Sequence, residues 1–99
     1  MKSNYNEGLV KRLICKMKLG DRQAKEKLIF LHEGYIKAFI KQHDYIRVSG
    51  CTEGELVEAG KVGLVKAALD FQGNSDFSFM PYAVWYINRS VLAYIHGVA

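Results

Sequence analysis

Residues 71–94 read FQGNSDFSFMPYAVWYINRSVLAY and hold seven of the twelve aromatic residues of the chain. Between residues 77 and 99 the only formal charge is that of Arg89. A helix of this composition either lies deep in a core or presents its flat rings to a flat partner. The remainder of the sequence provides the evidence for choosing between core packing and a binding surface.

The 99-residue chain is expected to fold as one domain, residues 1–99. At this length, folding buries roughly two-thirds of the surface of the unfolded chain, so a core forms without disulfides or metals. Cys15 and Cys51 fit no C-x-x-C spacing, which favours a reducing, cytoplasmic compartment and a role for both as small buried hydrophobic residues. The histidines share no metal-ligand spacing, so we expect no metal or other cofactor, and a surface or boundary position for His32, His43 and His96.

No signal peptide and no membrane span are expected from the sequence. The apolar residues 79–99 are interrupted by Asn88 and Arg89 near their middle and by Pro81 near their start. A central arginine alone costs about 2.5–3.5 kcal/mol on membrane insertion. No nucleophile with a nearby base and no phosphate-binding glycine loop is apparent, so we do not expect an enzyme.

The formal net charge of +4 is unevenly distributed. Residues 1–47 hold eleven Lys and Arg against five Asp and Glu, a balance of +6, whereas residues 48–99 hold three against five, a balance of −2. The simplest interpretation is two solvated faces. The alternative is a basic side that tolerates nucleic acid and an acidic patch that meets a protein surface.

The apolar spacing predicts an all-α fold, a compact bundle of about four helices. The predicted helices cover residues 6–18, 22–43, 53–71 and 79–95. Gly20 and Asp21 suit a left-handed helix end and a helix N-cap, and residues 44–50 are predicted to be a connection. Thr52 and Glu55 form a T-x-x-E capping box, in which each side chain accepts a hydrogen bond from a backbone amide.

Two further predictions concern the second half of the chain. Gly60 and Gly63 lie on the apolar face of the third predicted helix, which indicates that another helix comes very close there. The polar residues 72–76 are predicted to form a turn, and Ser78 is predicted to be the N-cap of the fourth helix, with Pro81 in its first turn.

In the fourth predicted helix, Tyr82, Trp85 and Tyr86 stand at i, i+3 and i+4 and so share one face. Phe77 and Phe79 alternate just before it. Five rings within ten residues favour a stacking platform for unpaired bases, where each stacked base contributes about 1–3 kcal/mol, although packing of all five in the core is the alternative. Packing roles are predicted instead for Phe71, Val84, Ile87, Val91 and Tyr94.

The segments ELVEAGKVGLVKAALDF and YAVWYINRSVLAYI, with Phe79 between them, resemble the second conserved region of sigma-70 family RNA polymerase sigma factors. The family pattern is roughly DLIxEGNxGLxKAxxKFD, a turn, and GxxFxxYAxWWIRQxI. The resemblance implies a helical, non-enzymatic transcription initiation domain that binds the β′ clamp helices of core RNA polymerase. It also implies recognition and melting of the promoter −10 element by capture of unpaired non-template bases, and an anti-sigma factor as a further partner.

By position, the resemblance implies two sets of binding residues. The DNA-binding set comprises Lys66, Phe77, Phe79, Tyr82, Trp85, Tyr86 and Arg89. The polymerase-binding set comprises Glu55, Glu58, Ala59 and Lys61. Family members usually carry Glu, Asn and Gln at the positions of Ala59, Lys61 and Arg89. Many members carry Lys or Arg where this chain has Asp70, Asn74, Ser75, Ser78, Asn88 and Ala93.

The missing cations predict weak binding of duplex DNA by the domain alone, because phosphate contacts dominate duplex affinity. Two functions therefore stay open at this point. The domain either captures promoter bases as an initiation module, or it binds polymerase as an interaction domain that has lost promoter opening. Both a fragment of a longer sigma factor and a stand-alone domain fit the sequence.

Overall fold

The computed structural model describes residues 5–72 and 76–98, which form helices without any strand. The helices are α1 Glu7–Lys18, α2 Arg22–Gln42, α3 Tyr45–Ser49, α4 Glu53–Asp70 and α5 Phe79–Val98. The predicted all-α bundle is confirmed, with one helix more than expected. Most of the turn predicted over residues 72–76 lies outside the described residues.

The short helix α3 corrects the prediction that residues 44–50 form an irregular connection. It is five residues long and is flanked by two left-handed residues, Asp44 with φ 57° and Gly50 with φ 77°. The hydroxyl of Tyr45 donates a hydrogen bond of 2.7 Å to Asn88 Oδ1, which holds α3 against α5. Five residues are too few to show a 3.6-residue apolar repeat, so the pattern of the sequence does not reveal this helix.

The capping residues predicted for α1, α2 and α4 are confirmed. Gly20 follows α1 with φ 99°, and the Asp21 carboxylate accepts a 3.1 Å hydrogen bond from the amide three residues further on. At α4, Thr52 Oγ1 accepts from the Glu55 amide at 3.1 Å, and Glu55 Oε1 accepts from the Thr52 amide at 2.8 Å. These bonds satisfy amides that a helix leaves unpaired at its N-terminus.

The helix α5 begins at Phe79, directly after Ser78, and α1 helps to fix this starting point. Glu7 Oε2, in the first turn of α1, accepts a 2.8 Å hydrogen bond from the Phe79 amide. A negative charge is favourable at a helix N-terminus, where unpaired amides carry partial positive charge. The N-terminal part of the chain therefore contributes to fixing the start of α5.

Gly60 and Gly63 bring α4 very close to its neighbours, as the sequence predicts. A Cβ atom at Gly60 would lie 2.6 Å from Ile36 Cγ2 of α2. A Cβ atom at Gly63 would lie 2.5 Å from the carbonyl oxygen of Tyr86 and 2.9 Å from Ile87 Cα. The contact at Gly63 is with backbone, so α4 and α5 would have to move apart to admit a side chain.

Replacing Gly63 by alanine is expected to destabilise the fold by about 1–3 kcal/mol, because overpacking against backbone outweighs the gain in helix propensity. Gly34→Ala in the middle of α2 is the matched control. A Cβ atom there meets nothing within 4 Å, so this change should stabilise the fold by about 0.5–1 kcal/mol. Urea unfolding measures both effects, and equal stability of the two variants would contradict the close approach.

His32 is buried, which corrects the prediction of a surface or boundary position, whereas His43 and His96 are exposed as expected. The side chain of His32 is only 1% exposed. Its Nδ1 donates to the Leu28 carbonyl oxygen at 2.7 Å, and its Nε2 lies 2.8 Å from the Tyr5 hydroxyl. Both nitrogens of a neutral imidazole are therefore used, with Tyr5 as the donor to Nε2.

Burial lowers the pKa of His32, so the fold is expected to lose stability in acid. An unperturbed histidine has a pKa of about 6.5, so below this pH the unfolded chain binds a proton at His32 that the folded chain excludes. The free energy of unfolding therefore falls as the pH decreases from about 7 to 5. Urea titrations across this range should show a smaller pH slope for His32→Leu than for wild type. The exposed control His43→Gln should keep the wild-type slope, and equal slopes for wild type and His32→Leu would contradict the prediction.

The two cysteines have different environments. Cys51 is 7% exposed and packs in the core, as predicted, whereas Cys15 is exposed on α1, contrary to the prediction. The apolar positions of α1 that face the core are Val10, Leu13, Ile14 and Met17. Cys15 follows Ile14 directly and so lies off this stripe, which the helical phase of α1 would have shown.

No helix within the described residues combines the length and apolar character that crossing a membrane requires.

Candidate nucleic-acid interface

Three aromatic side chains cluster on the outer face of α5, as the spacing predicts. The Tyr82 and Tyr86 ring centroids lie 5.0 Å apart, and Trp85 meets Tyr86 edge-on at 5.8 Å. Trp85 is 58% exposed, and the two tyrosines are half-buried. We refer to Tyr82, Trp85 and Tyr86 as the aromatic platform.

Phe77 and Phe79 are two residues apart and have opposite environments. Phe77 is 77% exposed just before α5. Phe79 is fully buried, and its ring packs edge-on against Phe71 at 5.2 Å and His32 at 5.8 Å. This burial contradicts the prediction that Phe79 captures bases, because a ring with no exposed surface offers no face for stacking. Phe79 is a packing residue at the start of α5.

The predicted packing residues largely lie where expected. Phe71, Ile87 and Val91 are buried, and Val84 and Tyr94 are half-buried against the core.

Hydrogen bonds between hydroxyl groups connect the platform to α4. The Tyr86 hydroxyl donates to Asp70 Oδ2 at 2.8 Å, and the Tyr82 hydroxyl oxygen lies 3.1 Å from that of Tyr86. The bond with Tyr82, followed by the bond to Asp70, raises the pKa of the Tyr86 hydroxyl. In the sequence, Asp70 stands out only as a position without the cation that many relatives carry, and its bond to Tyr86 is apparent only from the fold.

Both cations of the predicted DNA-binding set lie beside the platform. Lys66, Tyr86 and Arg89 line one pocket of about 230 Å³ between α4 and α5, together with Ser90 and Ala93. The guanidinium carbon of Arg89 lies 4.7 Å from the Trp85 ring centroid. Such a cation–π contact contributes about 0.5–1 kcal/mol at an exposed site. Cations next to exposed rings suit a phosphate group next to a stacked base.

The predicted polymerase-binding residues differ in how much surface they offer. Ala59 is only 8% exposed, so the structure leaves it almost no surface for a partner and contradicts its place in a contact face. Glu58 and Lys61 lie where α4 meets α2. Lys61 Nζ is 3.1 Å from Glu58 Oε2 and 3.3 Å from Glu33 Oε2, and the hydrogen bond to Glu58 is the main cause that raises the pKa of Lys61.

Glu55 uses both carboxylate oxygens within the chain. Oε1 accepts from the Thr52 amide, and Oε2 accepts a 2.8 Å hydrogen bond from the Tyr94 hydroxyl. These bonds, with the Thr52 amide first, lower the pKa of Glu55, and the bond to Glu55 raises the pKa of Tyr94. A partner that contacts Glu55 would have to share its carboxylate with Tyr94.

Within residues 5–72 and 76–98, no group of three His, Cys, Asp or Glu side chains is placed to hold a metal ion.

Comparison with known proteins finds relatives that are named as RNA polymerase sigma factors. The chain is 36% identical over 76 residues to RNA polymerase sigma factor RpoH of Rhizobium radiobacter, a match that covers 77% of this chain and 24% of that protein. It is 30% identical over 79 residues to RNA polymerase sigma factor SigA of Clostridium acetobutylicum, covering 80% of this chain and 20% of that protein. No family model matches the chain, and no solved structure matches it significantly.

The fold and the aromatic platform define a class of protein: an all-α domain in which α5 presents aromatic side chains next to the cations Lys66 and Arg89. The relatives specify this class further: the chain belongs to the sigma-70 family as a region 2-like domain. It spans about a quarter or less of the length of these two relatives.

Proposed function

We propose that this domain is a transcription initiation module that binds core RNA polymerase and captures unpaired bases of the promoter −10 element. The observation that carries the proposal is the aromatic platform beside Lys66 and Arg89, in a relative of proteins named RNA polymerase sigma factors. Exposed rings next to cations are the common means of binding single-stranded nucleic acid. The module has no catalytic role of its own and acts in the cytoplasm with the polymerase.

The charge around the platform favours unpaired over duplex DNA. Duplex affinity depends on neutralising phosphates, and Asp70, which bonds Tyr86 of the platform, and Asn88 of α5 both stand where many sigma factors carry Lys or Arg. Asn88 is also engaged, because its Oδ1 accepts from the Tyr45 hydroxyl. A flipped or single-stranded base needs only a ring face and a nearby cation. We therefore infer that polymerase brings promoter DNA to the platform, and that the platform then binds the unpaired bases and helps to keep the DNA open.

The proposed polymerase contact is the charged surface where α4 meets α2. Lys61 lies between Glu58 of α4 and Glu33 of α2, and the Glu58 side chain is 74% exposed. A shallow pocket of about 330 Å³ runs along this surface, lined by Glu33, Lys37, Glu53, Gly54, Val57, Glu58 and Lys61. Mixed charges of this kind suit a polar helical partner such as the β′ clamp helices.

A second function, polymerase binding without promoter opening, is favoured by one observation. The Asp70 carboxylate stands at the edge of the platform, where it opposes the approach of phosphates. In this alternative the domain would keep the surface around Lys61 and would regulate polymerase or another sigma factor.

The two functions are separated by titrating the domain with a labelled single strand that carries TATAAT and with a scrambled strand of the same composition. The titrations are done at low salt, with and without core polymerase, and alongside a pull-down of the β′ clamp helices. Preference for TATAAT supports base capture. Clamp-helix binding without any preference for TATAAT, in either condition, contradicts base capture and supports the second function.

Arg89 is expected to alter which −10 sequences the domain prefers. Arginine only donates hydrogen bonds and pairs best with guanine, whereas the glutamine usual in the family suits adenine. Arg89→Gln should therefore change the ranking of strands that differ at single bases, as measured by competition titration. Arg47→Gln, which removes an exposed cation from α3, should keep the wild-type ranking, and an unchanged ranking for Arg89→Gln would contradict the prediction.

A further inference from the structure

Asp70 lies at the C-terminal end of α4 and bonds a member of the aromatic platform. We propose that Asp70 is a positioning residue for the platform: its carboxylate fixes the Tyr86 ring through the hydroxyl and, through Tyr86, orients Tyr82. The inference rests on the proposed function, because it identifies what sets the geometry of the base-capturing surface.

The hydrogen bonds hold each tyrosine at the end of its side chain. Asp70 Oδ2 accepts from the Tyr86 hydroxyl at 2.8 Å, and that hydroxyl lies 3.1 Å from the hydroxyl of Tyr82. A tyrosine held at both Cα and hydroxyl has little freedom left at its two side-chain torsions. Because Tyr86 also touches the edge of Trp85, a change in its orientation alters the whole platform.

A second tyrosine–carboxylate bond shows that α4 and α5 do not depend on Asp70 to stay together. The Tyr94 hydroxyl donates to Glu55 Oε2 at 2.8 Å, at the opposite end of the two antiparallel helices. Between these ends, α4 and α5 are in close contact at Gly63. Loss of the bond between Asp70 and Tyr86 should therefore act on the orientation of the Tyr86 ring more than on the packing of the helices.

Asp70 has two effects on DNA binding, and they have opposite signs. Its negative charge weakens the attraction of phosphates towards Lys66 and Arg89, which uniformly lowers affinity for every strand. Its hydrogen bond orders the ring that a base stacks on, which affects the preference between strands. Substitutions that remove the charge but differ in the acceptor can separate these effects.

Asp70→Asn and Asp70→Leu provide this separation. Both side chains are uncharged and similar in size to aspartate, but only asparagine keeps an oxygen that accepts the Tyr86 hydroxyl. We expect Asp70→Asn to keep the wild-type ratio of affinities for the TATAAT and scrambled strands. We expect Asp70→Leu to reduce this ratio by about 3- to 10-fold, the range that corresponds to loss of one hydrogen bond.

Trp85 provides a measurement that does not involve DNA. It is the only tryptophan of the chain, and its ring centroid lies 5.8 Å from that of Tyr86. Its emission and fluorescence lifetime should therefore change in Asp70→Leu and in Tyr86→Phe. They should stay at wild-type values in Asp70→Asn and in Tyr94→Phe, which removes the corresponding hydroxyl at the other end of α5.

The two measurements distinguish failure of the inference from failure of the proposed function. If Asp70→Leu leaves the Trp85 fluorescence at its wild-type value, Asp70 does not position the platform and the inference is overturned. If that fluorescence changes while wild type shows no preference for TATAAT, the positioning role is supported and base capture is contradicted. Circular dichroism of each variant confirms that the helices are intact before the comparison is made.

Discussion

Replacing Phe79 by alanine is expected to destabilise the domain by about 3–5 kcal/mol, the usual result of truncating a buried phenylalanine. The ring has no exposed surface and packs against Phe71 and His32 at the point where α5 begins. In a domain of this size, such a loss lowers the melting temperature by roughly 12–40 °C. Thermal and urea unfolding followed by circular dichroism measure the change.

Phe77→Ala is the matched control for this prediction. Phe77 is 77% exposed, so its removal should change stability by no more than about 0.5 kcal/mol. The folded Phe79→Leu variant completes the comparison, since it keeps an apolar side chain in the core and should bind single strands as wild type does. If Phe77→Ala were as destabilising as Phe79→Ala, or if Phe79→Leu folded but lost strand binding, the assignment of Phe79 to packing would be contradicted.

Replacing Trp85 by alanine is expected to weaken binding of the TATAAT strand by about 10- to 100-fold. One stacked base contributes about 1–3 kcal/mol, and each 1.4 kcal/mol corresponds to a factor of ten. The same change removes the ring under the Arg89 guanidinium, so it loses both the stacking surface and the position of the cation. Because Trp85 is more than half exposed, the stability of the fold should change little by comparison.

Two variants serve as controls for Trp85→Ala. Trp85→Phe keeps a ring at this position and should retain most of the affinity. Tyr94→Phe keeps the platform unchanged and should bind as wild type does. Anisotropy titrations with labelled strands compare all three, and wild-type affinity in a folded Trp85→Ala variant would contradict the platform as the base-binding surface.

The long helices are predictable from sequence because their signals are local. Asp21 and Thr52 each accept a hydrogen bond from the amide three residues further on, and Gly20 adopts the left-handed conformation that ends α1, so these features are visible in short stretches of sequence. Gly63 is predictable for a similar reason, since a glycine on the apolar stripe of a helix has few other roles. The helix α3 lacks such signals, because it is short and its contacts are with residues outside it, Asn88 of α5 and Phe39 of α2.

The candidate site is less predictable, because it depends on which way each helix faces and on contacts between helices. The burial of Phe79 does have a signal in the sequence. Phe79, Ala83 and Ile87 stand at i, i+4 and i+8 and form one buried stripe. The bonds of Asp70 to Tyr86 and of His32 to Tyr5 join residues 16 and 27 positions apart, and no local pattern predicts them.

The most direct test of the central claim is quenching of Trp85 fluorescence by single-stranded DNA. Because the only tryptophan lies in the platform, a base that stacks there is reported by the residue proposed to bind it. The titration is done at low salt with core polymerase whose tryptophans are replaced by a non-emitting analogue, so that only Trp85 fluoresces. We predict saturable quenching that is stronger for TATAAT than for the scrambled strand. Equal quenching by both strands, or none, in a domain that still binds the β′ clamp helices would contradict base capture.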